Sequence, residues 1–300
     1  VRCVVIRHAR TLLRSGYRQM KRGLRSRDAI NSAKHTPMTP LQYFGASPKG
    51  DRWELRLPQD IHGAFGGVTG GALAAASVAL GRTIAPDRVA ASVDIHFLRG
   101  LSTTGALVTL TTLSSGRSLT IVRAEFADES GRATTEARVA FAAPEALRTD
   151  IESAANSEAL MGPPPPDLAA SAKPWRKPEG VEAPIIDTAA PKAARVGSAI
   201  ATLVTVPWEA VGDGGEGVCL AADLSVGPPV DAALPKGAWV PHPNPDLSLR
   251  FSGPATTGDL VAIASCTRIL GGLATVETEV WQGELLTGTG VSTSLLMAKT

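Results

Sequence analysis

Cysteine is scarce in this chain: three residues in 300, Cys3, Cys219 and Cys266, widely separated and odd in number. That excludes a disulfide framework and offers no zinc spacing, so a reducing, cytoplasmic compartment and no metal are expected. Long runs of Leu, Ile and Phe are missing too. The uncharged stretch HGAFGGVTGGALAAASVAL (62–80) is built from glycine and alanine, which transfer poorly into a bilayer, so no membrane span is expected. Phosphate motifs are also lacking. The glycines at 63, 66, 67, 70 and 71 fit no dinucleotide fingerprint. Gly66 and Gly71 have P-loop spacing, but Ala72 and Leu73 stand where Lys and Ser or Thr are required. No cofactor is expected.

Net charge is small, +2, but unevenly spread. Residues 1–37 carry ten Lys or Arg against Asp28 alone, which leaves 20 basic and 27 acidic residues, a balance of −7, on the remainder. A basic tail can touch nucleic acid or a membrane surface. Here it has neither the apolar region nor the cleavage site of a signal peptide. It reads as a poorly ordered extension over 1–40, with Met38 a candidate start and no nucleic-acid partner. Within it, Arg7-His8 resembles the Arg-His-Gly signature of histidine phosphatases. Ala9 replaces the glycine, however, and no alternation of strands and helices follows.

What the chain does have is 44% apolar residues, enough for a substantial core. Strands are expected at 52–57 and at 89–98, where Ser92, Asp94 and His96 alternate with Val93, Ile95 and Phe97. Residues 105–142 hold three β-rich runs, broken at 114–116 and 128–131, as in an antiparallel meander. The small residues of 62–80 suit a helix packed closely inside a curved sheet.

A shift of 154 residues brings the pattern back. Residues 62–80 fall on 216–234, 92–97 on 246–251 and 119–126 on 273–280, pairing Leu119 with Leu273 and Glu125 with Glu279. The chain therefore reads as two copies of one α+β unit, at 41–145 and 196–300. Between them lies a Pro-rich crossover (146–195), in which four consecutive prolines in MGPPPPDLAASAKPWRKPEG (161–180) favour extended structure.

A Gly-rich helix wrapped by an antiparallel sheet, twice in one chain, resembles the double hotdog fold. The detailed resemblance, over residues 41–300, is to the type II (TesB-like) acyl-CoA thioesterase family. It rests on HGAFGGVTGGALAAA, VDIHFLRG followed by GRSLTIVRAEF, and in the second copy CLAADLSV and PDLSLRFSGP. The resemblance implies hydrolysis of acyl-CoA to fatty acid and CoA, and an aspartate, a threonine and a glutamine that hold and activate a water. Asp223 stands at the aspartate position, paired by the repeat with Thr69, so only the second copy offers a base. Asn244 takes the threonine position. The glutamine position falls near Val291, where Ser292 and Thr293 are the nearest polar residues. The substrate side is expected from His62, Phe65, Gly66 and Gly67.

A positioned carboxylate and a water suffice for a thioester, provided that donors face the developing oxyanion. Two readings stay open: a thioesterase with Asp223 as base, or a catalytically impaired acyl-CoA-binding or structural relative, motivated by the missing glutamine. A hotdog hydratase needs Asp five residues before His, and none of the five histidines has it. His62 reads as a helix-start cap and Asp94 with His96 as a solvated strand face. Arg99 and Arg117 are candidates for the CoA phosphates, though a solubilising surface role is the simpler reading. Sheet edges need covering and the family associates, so a homodimer or larger homo-oligomer is expected.

Overall fold

The computed structural model describes residues 38–148, 161–175, 180–235 and 240–298. The Arg7-His8 stretch and nearly all of the basic extension lie outside them. From Met38 onward the described chain forms one unit.

The first half runs α1 (Pro40–Tyr43), β1 (Ser47–Lys49), β2 (Arg52–Arg56), α2 (Gly70–Arg82), β3 (Val89–Phe97), β4 (Gly105–Ser115), β5 (Leu119–Ala127) and β6 (Ala133–Ala142). The crossover holds α3 (Leu168–Ser171), β7 (Lys173–Pro174) and α4 (Pro184–Ala189), with β8 (Lys192–Val196) at its end. The second half continues with β9 (Ala199–Thr205), α5 (Gly215–Leu224), α6 (Gly227–Ala233), β10 (Asp246–Phe251), β11 (Asp259–Leu270), β12 (Leu273–Gln282) and β13 (Leu285–Leu295).

All the strands belong to one antiparallel sheet, ordered β1-β2-β4-β5-β6-β3-β10-β13-β12-β11-β9-β8-β7. The halves join where β3 meets β10, with His96 opposite Asp246 and Ser92 opposite Arg250. The chain is thus a double hotdog of the α+β class. Both outer edges are short and blunted, β1 by Pro48 and Lys49 and β7 by Lys173 and Pro174. The bare sheet edge that motivated an expected association is therefore managed within the chain.

Strand inside–outside alternation follows the sequence closely. In β3 Val93 and Ile95 are buried, while Asp94 on the opposite face pairs with Arg250 at 2.9 Å and His96 is exposed. That face is a solvated sheet surface, not a dyad. The offset of 154 holds for β3 and β10, β4 and β11, β5 and β12, and β6 and β13.

The helices depart from it. Residues 62–69 form a glycine turn, not helix. Gly63 N–H donates to Gly67 O at 2.7 Å and Gly66 adopts φ +73°. Each glycine costs about 1 kcal/mol in a helix interior relative to alanine, so the glycine-rich 62–69 stays out of the helix, which begins at Gly70 just ahead of the alanines. Thr69 is its N-cap residue, and Gly71 to Gly81 are all buried, as for a helix enclosed on every side. The second helix starts at Gly215, 145 residues after Gly70 rather than 154. It breaks after Leu224 and resumes as α6, whose first turn carries Pro228 and Pro229. Proline is tolerated there because first-turn N–H groups have no helical acceptor. The helical part of the repeat, and the pairing of Asp223 with Thr69, are not kept.

The two helices pack against each other through glycine. A Cβ on Gly71 would lie 2.7 Å from Asp223 Cβ and 2.8 Å from Cys219 O. At the far end of α2, Arg82 reaches Asp213 at 2.7 Å and Glu216 at 3.1 Å, and Asp213 also accepts from the N–H groups of Ala90 and Gly215. This cluster locks the end of one helix to the start of the other.

Candidate active site

A cavity of about 430 Å³ opens beside the N-terminal end of α2 and the C-terminal end of α5. Its walls come from the glycine turn (Phe65, Gly67), the end of β3 (Phe97), the crossover (Trp175, Ile185) and the extended segment before β10. The lining is mostly apolar, with a few polar side chains, the usual form of a small-molecule site.

Asp223, in the last turn of α5, faces this cavity. Its Oδ1 accepts from Asn244 Nδ2 at 2.8 Å. Burial pushes its carboxyl above the usual range, while hydrogen bonds from the Gly71 N–H and from Asn244 pull the other way; the net direction is up. The Gly71 N–H is a first-turn donor of α2, so the positive end of that helix also faces the carboxylate. Close approach is what makes this possible, since a Cβ on Gly70 would sit 3.0 Å from Asp223 Oδ1. Thr69 lines the cavity with a buried hydroxyl that has no hydrogen-bond partner among the described residues. Cys219, one turn before Asp223, is fully buried, and burial pushes its thiol well up, which unfits it as a nucleophile.

Among the expected site residues, Asp223 and Asn244 are brought together. Phe65, 58% exposed, and Gly67 line the cavity. Gly67 is bare because a Cβ there would meet the backbone of Leu101 at 3.0 Å. Gly66 makes the turn and does not line it. His62 does not cap α2: it lies eight residues before it, ends the short 3-10 turn Gln59–Ile61, and is buried at 3% exposure with its carbonyl accepting from Ile185 N–H. Burial pushes its imidazole pKa down, and it too is outside the lining. Ser292 is not among the lining residues either; its hydroxyl donates to Asp246 O at 2.6 Å. Neighbouring Thr293 is tied to the same residue through its N–H, and Val291 is 44% exposed. The third polar position of the resemblance is thus committed to holding β10 against β13.

Sequence reasoning missed Trp175, Asp231 and His242, all of which line the cavity. Asn244 and His242 alternate with prolines in PHPNP (241–245), a period-two signal of extended chain. No such signal marks Trp175, which reads as linker. Arg99 lines the cavity and Arg117 does not. Among the described residues no three His, Cys, Asp or Glu side chains gather as metal ligands, and no helix is long and apolar enough to cross a membrane.

Residues 56–142 match the acyl-CoA thioesterase N-terminal domain family. No curated protein matches the chain by sequence. Among solved structures, the chain is similar to a candidate thioesterase II of Thermobifida fusca (17% identity, TM-score 0.68, 88% of this chain and 99% of that one). It is similar also to a tesB protein of Mycobacterium avium subspecies paratuberculosis (19%, 0.62, 86% and 98%). A third is the acyl-CoA thioesterase II TesB2 of Mycobacterium marinum (16%, 0.60, 87% and 98%). At such identities the likeness is one of fold over nearly the whole of each chain. The family match thus covers the first hotdog, residues 56–142, and over both hotdogs the chain shares its fold with the thioesterase II and TesB structures it resembles.

Proposed function

We propose that the protein hydrolyses acyl-CoA thioesters, with Asp223 as the general base that activates a water. The observation that carries this reading is a carboxylate at the wall of an apolar cavity, held by Asn244 and by the first turn of α2. A raised pKa suits a base that must take a proton and return it near neutrality.

In this mechanism Asp223 takes a proton from the water as its oxygen bonds to the thioester carbonyl carbon. The carbonyl electron pair moves to oxygen, and the Gly70 N–H, the first-turn amide of α2 at the cavity wall that Asp223 does not take, stabilises the oxyanion. The tetrahedral intermediate collapses, the carbon–sulfur bond breaks, and the proton held by Asp223 passes to the departing thiolate. The products are the free acid and CoA. Asn244 fixes the orientation of the carboxylate.

The second reading, an acyl-CoA-binding relative without turnover, is favoured by one observation: Ser292 spends its hydroxyl on Asp246 O. Free-thiol release from acyl-CoAs of graded chain length, for the wild type and Asp223→Asn, decides between them. The thioesterase reading predicts release by the wild type and a loss of about 10²–10⁴-fold in the variant. No release at any chain length leaves the binding reading.

A further inference from the structure

The cavity has a second polar pole that the proposed chemistry does not use. His242 Nδ1 lies 2.8 Å from Val240 O and so carries a hydrogen, and Nε2 faces Asp231 Oδ1 at 3.8 Å. The gap is too long for a direct hydrogen bond. Asp231 Oδ1 is buried and has no hydrogen-bond partner among the described residues, and the His242 side chain is only 10% exposed. The Asp231 side chain as a whole is 34% exposed, and one polar atom set between Oδ1 and Nε2 would pair with both.

We propose that Asp231 and His242 together bind a hydroxyl group carried part-way along the acyl chain of the substrate. The inference rests on the thioesterase reading above. A hydroxyl suits the gap because one atom both donates, to Asp231 Oδ1, and accepts, from a protonated His242 Nε2. A trans amide presents its donor and acceptor on opposite sides and cannot bridge two neighbouring groups in this way.

The space for it is kept by glycine. Gly227 and Asp231 lie four residues apart on one face of α6. A Cβ on Gly227 would rest 3.4 Å from Trp175 and 3.6 Å from His242 Nε2, filling the place beside the imidazole. The position along the chain follows from the backbone. Leu295 N–H donates to Pro243 O and Met297 N–H to Pro241 O, both at 2.9 Å, so 241–243 runs extended beside 295–297. His242 and Asn244 are alternate residues of this segment and both line the cavity, about 7 Å apart along it. The hydroxyl would therefore sit several carbons from the thioester. Hydroxyls of CoA itself are common to every substrate and cannot contribute to selection.

The test uses matched acyl-CoA pairs of one chain length, unsubstituted or with a single hydroxyl moved along the chain. The readout is the ratio of their kcat/KM values for the wild type, Asp231→Asn, His242→Gln and Gly227→Ala. At one hydroxyl position the wild type is expected to favour the hydroxylated chain about tenfold or more, and each variant to bring the ratio within about twofold of one. A wild type that favours the unsubstituted chain at every position overturns the inference. So does a preference that survives Asp231→Asn and His242→Gln combined. Calorimetry with free hydroxylated and unsubstituted fatty acids separates the two failures. Selective binding of the hydroxy acid without thiol release sinks the thioesterase reading and keeps the pair; release without selectivity does the reverse.

Discussion

Asn244 and Asp223 meet at 2.8 Å across a turn of the fold that separates them by 21 residues, the amide donating to the carboxylate. Each comes from a different kind of structure: Asp223 from the last turn of a buried helix, Asn244 from an extended segment stiffened by flanking prolines. With the Gly71 N–H they form a carboxylate site that is partly desolvated yet hydrogen-bonded. The consequences for pH, packing and stability are separable.

The pH profile comes first. The proposed catalysis by Asp223 needs the carboxylate, whose pKa burial has raised. The rate should fall as pH drops through that raised value, so the acidic limb of kcat lies above the usual carboxylate range. Asn244→Ala removes a hydrogen bond that favours the charged form, and should move this limb further up while lowering kcat. A limb that stays in place in the variant would mean that Asn244 does not tune the base.

The same shift has a sign for stability. A carboxyl whose folded pKa is raised stabilises the fold most when protonated, and that contribution is lost as pH rises through the folded value. At neutral pH the charged Asp223 is therefore a cost, and Asp223→Asn should have a urea midpoint equal to or above that of the wild type. A clear fall in the midpoint would assign Asp223 a structural role.

Packing gives a third prediction. An alanine at Gly71 would place a methyl 2.7 Å from Asp223 Cβ and 2.9 Å from Leu220 Cα. Overpacking of this kind costs about 1–3 kcal/mol. Because the displaced group is the proposed base, Gly71→Ala should lose activity beyond what its denaturation midpoint explains. Equal activity per folded molecule would contradict the close α2–α5 approach.

The Arg82 cluster supplies the fourth. Arg82→Met leaves Asp213 and Glu216 without their cation; the Glu216 side chain is 1% exposed and its carboxyl is already pushed up by burial. Breaking a buried pair in this way costs about 3–5 kcal/mol, readable as a shift in urea unfolding. Thiol release by the folded fraction should change far less, since the cluster lies at the opposite end of α2 from Asp223.

Much of this fold is legible in the sequence because strands write their pattern in steps of two. Ser92 to Phe97 and their counterparts 154 residues on alternate cleanly, and the breaks at 114–116 and 128–131 coincide with the ends of β4 and β5. The helices are less legible. Five glycines within nine residues look like one small-residue helix, yet the first three make a turn and the last two make a helix–helix contact. Only tertiary packing tells these roles apart. In the site, Asp223 stands out because a carboxylate in an apolar run demands a reason. Ser292 misleads because polarity at the right strand position says nothing of the Asp246 carbonyl beside it. Asp231 and His242 were hidden because their meeting depends on a helix break at Ser225 and Val226, which a single repeat offset smooths over.

The measurement that tests the account most directly is a single turnover in ¹⁸O-labelled water, with enzyme in excess over acyl-CoA. If Asp223 activates water as a base, the label appears in the released fatty acid and none in the Asp223 carboxylate. Label found in Asp223, with unlabelled oxygen passed to the acid, would show that the carboxylate attacks the thioester itself and would contradict the account.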